Sequence, residues 1–275
     1  MNDLIMELTD LKYLDWTEQK LSPGTPGCFL KAYEETQNGR IYYKLSNYDS
    51  YRGVFGHECV NELIVSRLMD CLEIPHLQYQ LIHAEICINK KILQTWICSS
   101  ENFRKGKEEK IGFDVLYDMT KEEDESPLDF AFRHGWKRTI YQMFLVDYLV
   151  ANRDRHGSNL EILRDKNNVR LAPLFDQGVS LLFSTYGDEQ QIETFDVMRD
   201  FPVNNYIGAK SLEYNLSLIP ADFDLKILPL QEKEKEYILS GLETVLSDIH
   251  REKIWQMIWQ RWCNYEKIRN QTVNG

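Results

Sequence analysis

The chain has 275 residues, 43% hydrophobic and 27% charged, which is ample for a sizeable core and, at about 150 residues per unit, for two domains or lobes. Its net charge of −11 argues against a broad electrostatic footprint for nucleic acid or an anionic membrane. No basic start followed by an apolar run marks a signal peptide, and no stretch approaches the roughly 18 uninterrupted apolar residues of a membrane span. The six cysteines (Cys28, Cys59, Cys71, Cys87, Cys98, Cys263) are scattered without C-x-x-C or zinc spacing. These features read as a cytoplasmic protein with reduced, mostly buried thiols, and they leave export without a signal peptide open.

Residues 1–20 show no period and are compatible with an extra strand or a packing arm. Ser22-Pro-Gly-Thr-Pro-Gly27 is a turn-rich loop, and a strand follows from Cys28. Asn38-Gly39 is a hairpin turn with residues 40–45 as the return strand. A helix is predicted over 56–71, stopped by Pro75, with one broad apolar face against the sheet. Glu58 and Glu62 lie four apart on one face of it. Two strands, 79–82 and 92–98, join near Asn89-Lys-Lys91, and the segment 96–100 falls where two lobes would hinge. Residues 101–128 carry charged runs of the kind found on solvated faces or loops, which places the lobe boundary near 100.

Over 137–151, Tyr141, Phe144, Leu145, Tyr148 and Leu149 match the helical template and belong to the core of the second part; Asp147 in their midst is a puzzle. An amphipathic helix is predicted from Gln231 to about Ser247. Ile254, Trp255, Ile258, Trp259 and Trp262 form a core stripe, and 270–275 is a frayed polar tail.

The chemistry concentrates after the 137–151 helix, in Asn152-Arg-Asp-Arg-His-Gly-Ser-Asn159 and Leu171-Ala-Pro-Leu-Phe-Asp-Gln-Gly178. Phosphoryl transfer from ATP needs a carboxylate to orient the attacking hydroxyl, plus a carboxylate and an amide oxygen to hold magnesium. D-x-x-x-x-N followed by a second Asp supplies them as Asp154, Asn159 and Asp176, in the order protein kinases use. Lys44 ends a strand after a glycine-bearing loop, where kinases place the lysine that meets the α/β-phosphates. One of Glu58 and Glu62 should pair with it. Gly24, Thr25 and Gly27 lie in the loop, whose backbone N–H groups suit phosphates. His156 is expected to brace the Asp154 loop by hydrogen bonds rather than act as a base.

These two segments resemble the catalytic and metal-binding signature of the HipA-like Ser/Thr kinases, including short stand-alone members related to the bacterial kinase CtkA. More distantly, they are similar to the D-R-H-x-x-N loop of phosphatidylinositol kinases. The likeness runs from about residue 24 to the C-terminus. It implies a two-lobed α+β protein-kinase-like fold, with an N-lobe of residues 1–100, a C-lobe of 101–275 and ATP between them. It implies Asp154 as the base, Asn159 and Asp176 as ligands of Mg2+, and Lys44 on the phosphates. Glu62 is favoured over Glu58 as the partner of Lys44, because Leu72-Glu-Ile aligns with that helix end in the family. A protein substrate with a Ser or Thr acceptor follows, as does self-phosphorylation in the loop, at Ser22 or Thr25. The eukaryotic D-F-G, H-R-D and A-P-E set is missing, so ordinary activation-loop regulation does not carry over. With residues 1–20 alone before the loop, there is no room for the subdomain by which full-length HipA-like toxins meet a DNA-binding antitoxin, so that partner is unsupported. A lipid or small-molecule kinase and a nucleotide-binding pseudokinase are the alternatives.

Overall fold

Side-chain alternation along the strands sets the first part of the structure, a computed structural model that describes residues 2–18, 29–37 and 39–273. Its elements are β1 (Leu4–Asp10), β2 (Thr17–Glu18), β3 (Leu30–Thr36), β4 (Gly39–Leu45), the short pair β5 (Tyr48–Asp49) and β6 (Gly53–Val54), helix α1 (Glu58–Cys71), β7 (Gln80–Ile88) and β8 (Lys91–Glu101). Six strands form one sheet in the order β1-β7-β8-β4-β3-β2. β1 runs parallel to β7 and the other neighbours pair antiparallel. The N-terminal residues thus supply the extra strand rather than a loose arm.

Leu30 and Ala32 of β3, Tyr43 and Leu45 of β4, and Ile82, Ala84 and Ile97 from β7 and β8 share a small core on one face of the sheet. The two-residue period sends their neighbours Lys31 and Lys44 to the opposite face. Helix α1 packs on that opposite face and is buried on every side from Glu58 to Met69, not on one face as its pattern implied. β7 and β8 extend well beyond their predicted spans. They join through Asn89 and Lys90, both at positive φ (49° and 66°), the conformation of a two-residue primed hairpin turn. β8 runs straight through 96–100 to Glu101, so the chain leaves the sheet only after the predicted hinge.

The second part is mainly helical: β9 (Glu109–Gly112), α2 (Phe113–Thr120), α3 (Pro127–Arg133), α4 (Lys137–Leu149), β10 (Asp154–Arg155), β11 (Glu161–Arg164), β12 (Val169–Leu171), α5 (Glu189–Glu193), β13 (Asn204–Asn205), α6 (Leu212–Ser217), α7 (Lys235–Leu239) and α8 (Asp248–Val273). Residues 101–128 are therefore more than a charged loop. They hold β9, which joins β11 and β12 in a small sheet, then α2, and then Ser126, whose Oγ accepts from Asp129 N at 3.1 Å to cap α3 with Pro127 in the first turn. The helix predicted over 231–247 is interrupted: α7 ends at Leu239 and Gly241 takes φ +74°, a conformation no helix continues through. α8 carries the tryptophan stripe inward and continues helical to Val273, through most of the expected tail. The described cysteines are free; Cys59 and Cys98 are buried, Cys71 and Cys87 half-buried and Cys263 exposed, so burial is less general than expected. Among the described residues no helix is long and apolar enough to cross a membrane.

Where α1 begins, His57 meets His250 of α8 edge to face, with ring centroids 5.1 Å apart. Burial, and then the charge of His57, hold the His250 pKa at about 4, below the ordinary 6.5. A base whose folded pKa is depressed takes up its proton mainly in the unfolded chain. Its contribution to stability is therefore full above pH 6.5 and is lost as pH falls towards 4, by about 3 kcal/mol across that window. Urea midpoints at pH 7 and pH 4.5 should fall further for the wild type than for His250→Gln; equal falls would discard the assignment.

Candidate active site

Three segments converge beneath the sheet. Lys44, on the face of β4 that alternation turns away from the small core, donates from Nζ to Glu62 Oε1 at 2.8 Å and to Asp176 Oδ1 at 2.5 Å. Burial opposes the lysine's charge, but Asp176 and then Glu62 outweigh it and hold the Lys44 pKa well above the ordinary value. Burial would likewise raise Asp176, yet Lys44 and then Lys31 hold its carboxyl down at about 2. Both members are therefore charged at neutral pH. Glu58, the other candidate, accepts instead from the backbone N–H and side-chain amide of Asn47.

Glu62 does more than hold the lysine. Its Oε2 accepts from Gln177 N at 2.8 Å, and Asn61 beside it donates to the carbonyls of Gly178 and Ser180 at 2.9 and 3.0 Å. One turn of α1 thus fixes both Lys44 and the chain that follows Asp176. Asp176 itself has φ +60°, and its N–H donates to the buried Tyr79 hydroxyl at 3.2 Å. Such a conformation costs a non-glycine residue on the order of 1–3 kcal/mol and persists only where the surroundings over-determine it.

The Asp154 loop is built on a buried ion pair. Asp147 near the end of α4 receives Arg155 Nη2 at 2.7 Å and Nε at 3.2 Å, and both side chains are only 1% exposed. Arg155 Nη1 then donates to the Phe175 carbonyl at 2.9 Å and to the Asn159 carbonyl at 3.4 Å. One guanidinium thereby ties the loop bearing Asn159 to the residue preceding Asp176. Asn152 completes the network, donating to Asp147 Oδ1 and Gln177 Oε1, each at 3.0 Å, and accepting from Asp154 N at 3.2 Å. The puzzle of Asp147 resolves as structural support.

Asn159 gives its amide N–H to the Asp154 carbonyl at 2.9 Å, which turns its amide oxygen the other way. The Asp154 carboxylate is half-buried; Oδ1 accepts from Asn204 at 3.1 Å. Asn204 comes from β13, which pairs in parallel with Asp154 and Arg155. His156 Nε2 is 3.7 Å from Asp154 Oδ2, beyond hydrogen-bond length, so Arg155 and not His156 braces the loop. Arg153 stacks its guanidinium 3.9 Å from the Phe201 ring centroid and 5.0 Å from that of Phe183.

A cleft of about 250 Å³ opens between the sheet and these loops, lined among others by Lys31, Lys44, Tyr79, Ser100, Phe103 and Asp176. The structure thus brings Lys44, Glu62 and Asp176 into direct contact and fastens the loop of Asp154 and Asn159 to theirs. The glycine loop with Ser22, Gly24, Thr25 and Gly27 lies outside the described residues.

No protein-family model and no curated protein matches the sequence. Among solved structures, the Helicobacter pylori proinflammatory kinase CtkA is similar over 98% of both chains, with TM-score 0.65 and 17% identity. The fold is a kinase fold of the CtkA type. HipA of the Shewanella oneidensis HipA–HipB toxin–antitoxin system matches more loosely (TM-score 0.43, 12% identity, 93% of this chain and 61% of that one). So does the Golgi casein kinase (TM-score 0.42, 13% identity, 89% and 71%).

Proposed function

We propose that the chain is an ATP- and Mg2+-dependent Ser/Thr protein kinase, with an N-lobe of residues 1–100 and a C-lobe of 101–275. One observation carries this reading: the Lys44 ammonium lies between Glu62 and Asp176, while Arg155 fastens the Asp176 segment to the Asp154 loop. A lysine and a carboxylate of the kind that phosphoryl transfer requires thus line one cleft, with the Asp154 loop tied to it through Arg155.

Asp154 orients the acceptor hydroxyl and takes its proton. The hydroxyl oxygen bonds to the γ-phosphorus, and the bond from that phosphorus to the β–γ bridging oxygen breaks, leaving ADP. Lys44 contacts the α/β-phosphates and Glu62 holds Lys44 in place. Gly24, Thr25 and Gly27 cover the phosphates, with Ser22 or Thr25 as sites of self-phosphorylation. The donor set would suit Mg2+: the ionised Asp176 carboxylate and the Asn159 amide oxygen would hold it beside the phosphates. Among the described residues no group of three or more His, Cys, Asp or Glu side chains is placed to hold a metal ion. When bound, the cation neutralises charge building on the phosphate oxygens.

Purified protein given Mg2+ and γ-labelled ATP should label itself or a generic protein acceptor, and Asp154→Ala should not. Near-normal transfer by Asp154→Ala would refute the role of Asp154. Transfer to inositol lipids alone would replace the protein acceptor, and ATP binding without any transfer would favour a pseudokinase.

A further inference from the structure

The two oxygens of the Asp154 carboxylate stand in different surroundings. Oδ1 accepts from Asn204 Nδ2 at 3.1 Å. A carboxylate only accepts, so the Asn204 amide turns its NH2 group towards it. Oδ2 has His156 Nε2 at 3.7 Å, beyond hydrogen-bond length, and accepts no hydrogen bond among the described residues. One oxygen is held and the other faces outward without a donor.

Asn204 is exposed, and an exposed asparagine is ordinarily free to swing, but its backbone is fixed on both sides. Its N–H donates to the Arg153 carbonyl at 2.9 Å, and Tyr206 N donates to the Arg155 carbonyl at 3.0 Å. These are the residues that flank Asp154, and the parallel register sets Asn204 directly beside Asp154. Val203, just before, is buried and donates its N–H to the Lys210 carbonyl at 3.2 Å. Just after, Asn205 Oδ1 accepts from Ile207 N at 3.1 Å and Gly208 N at 2.8 Å. A solvated side-chain hydrogen bond adds little to the stability of the fold, so this mounting matters for the carboxylate it holds. A neutral donor fixes the plane of that carboxylate without the full positive charge that would oppose its taking a proton.

We infer that Asn204 is a positioning residue for phosphoryl transfer. By holding Asp154 Oδ1 it sets Oδ2 as the oxygen that takes the proton of the acceptor hydroxyl. The hydroxyl oxygen meanwhile bonds to the γ-phosphorus and ADP leaves. The assignment rests on the kinase reading proposed above and names the oxygen and the support that reading requires.

The test compares the wild type, Asn204→Ala and Asn204→Asp in single-turnover transfer, with Mg2+, γ-labelled ATP and a generic protein acceptor. A hydrogen bond to a charged group corresponds to about tenfold to hundredfold in rate, so Asn204→Ala should be slower by that factor. Its urea midpoint and its calorimetric affinity for Mg2+–ATP should match the wild type. Asn204→Asp keeps the shape of the side chain but replaces the donor by a second carboxylate, and should be slower than Asn204→Ala. A packing role predicts the reverse order, because aspartate fills the space that alanine leaves. Transfer by Asn204→Ala within twofold of the wild type, or Asn204→Asp faster than Asn204→Ala, overturns the inference and leaves the kinase reading standing. A loss of midpoint or of ATP affinity in Asn204→Ala that accounts for its lost rate overturns it too. A wild type that transfers nothing overturns the kinase reading and this inference together.

Discussion

Asp176→Ala should lose phosphoryl transfer by about a thousandfold or more, and Asp176→Gly should lose it equally while folding better. The common loss follows from the carboxylate. With its pKa near 2, Asp176 is ionised at any working pH and is the one carboxylate in the proposed cation shell; a single electrostatic donor is worth about 10²–10³-fold, and a catalytic cation several kcal/mol. The difference between the two variants follows from the backbone. At φ +60° an alanine keeps the β-carbon penalty of the left-handed region, whereas glycine does not. Asp176→Gly should therefore exceed Asp176→Ala in stability by about 1 kcal/mol. Initial rates of label transfer and urea midpoints of both variants decide the matter. A tenth of the wild-type rate in either variant would remove Asp176 from the cation shell, and equal midpoints would show that the strained conformation relaxes.

The largest stability effect is expected at Arg155. Arg155→Met leaves Asp147 buried with its counter-ion gone, a situation that costs about 3–5 kcal/mol. It also releases the Asn159 and Phe175 carbonyls that the guanidinium holds together, so transfer should fall even where the protein remains folded. Removing the stranded charge as well should recover part of the loss: Arg155→Met with Asp147→Leu should be more stable than Arg155→Met alone. Denaturant midpoints of the two single variants and the double variant form the cycle. If the two single losses add within about 0.5 kcal/mol, the pair is not coupled.

Long periodic segments were legible in the sequence. The β3–β4 hairpin, α1, α4 and α8 each repeat an apolar pattern that points to one structure. β1 was not, because much of it is exposed, with Met6 and Leu8 44% and 46% accessible; its pairing with β7 leaves no periodic trace. The interruption at Gly241 was readable, since a glycine inside a helical pattern is a break signal. Spacing could not choose between Glu58 and Glu62. They share a face, and what separates them is the position of Asn47, a feature of the folded chain. Asp147 and Asn61 offered a signal that pattern reading passes over: a lone acid or amide inside an apolar helix is buried at a cost unless something far away satisfies it. Asn204 offered none. A single asparagine in a loop is ordinary, and only the parallel pairing of β10 with β13 brings it to Asp154.

Arg153 closes a circuit in the backbone. Its N–H donates to the Val179 carbonyl at 3.0 Å and its carbonyl accepts from Asn204 N at 2.9 Å, while its side chain packs on Phe183 and Phe201. The stretch between residues 179 and 204 is therefore buckled at both ends to the same peptide, like a strap passed twice through one ring. A pull on either end reaches the residue before Asp154 first, so the strap cannot lift without disturbing the Asp154 loop.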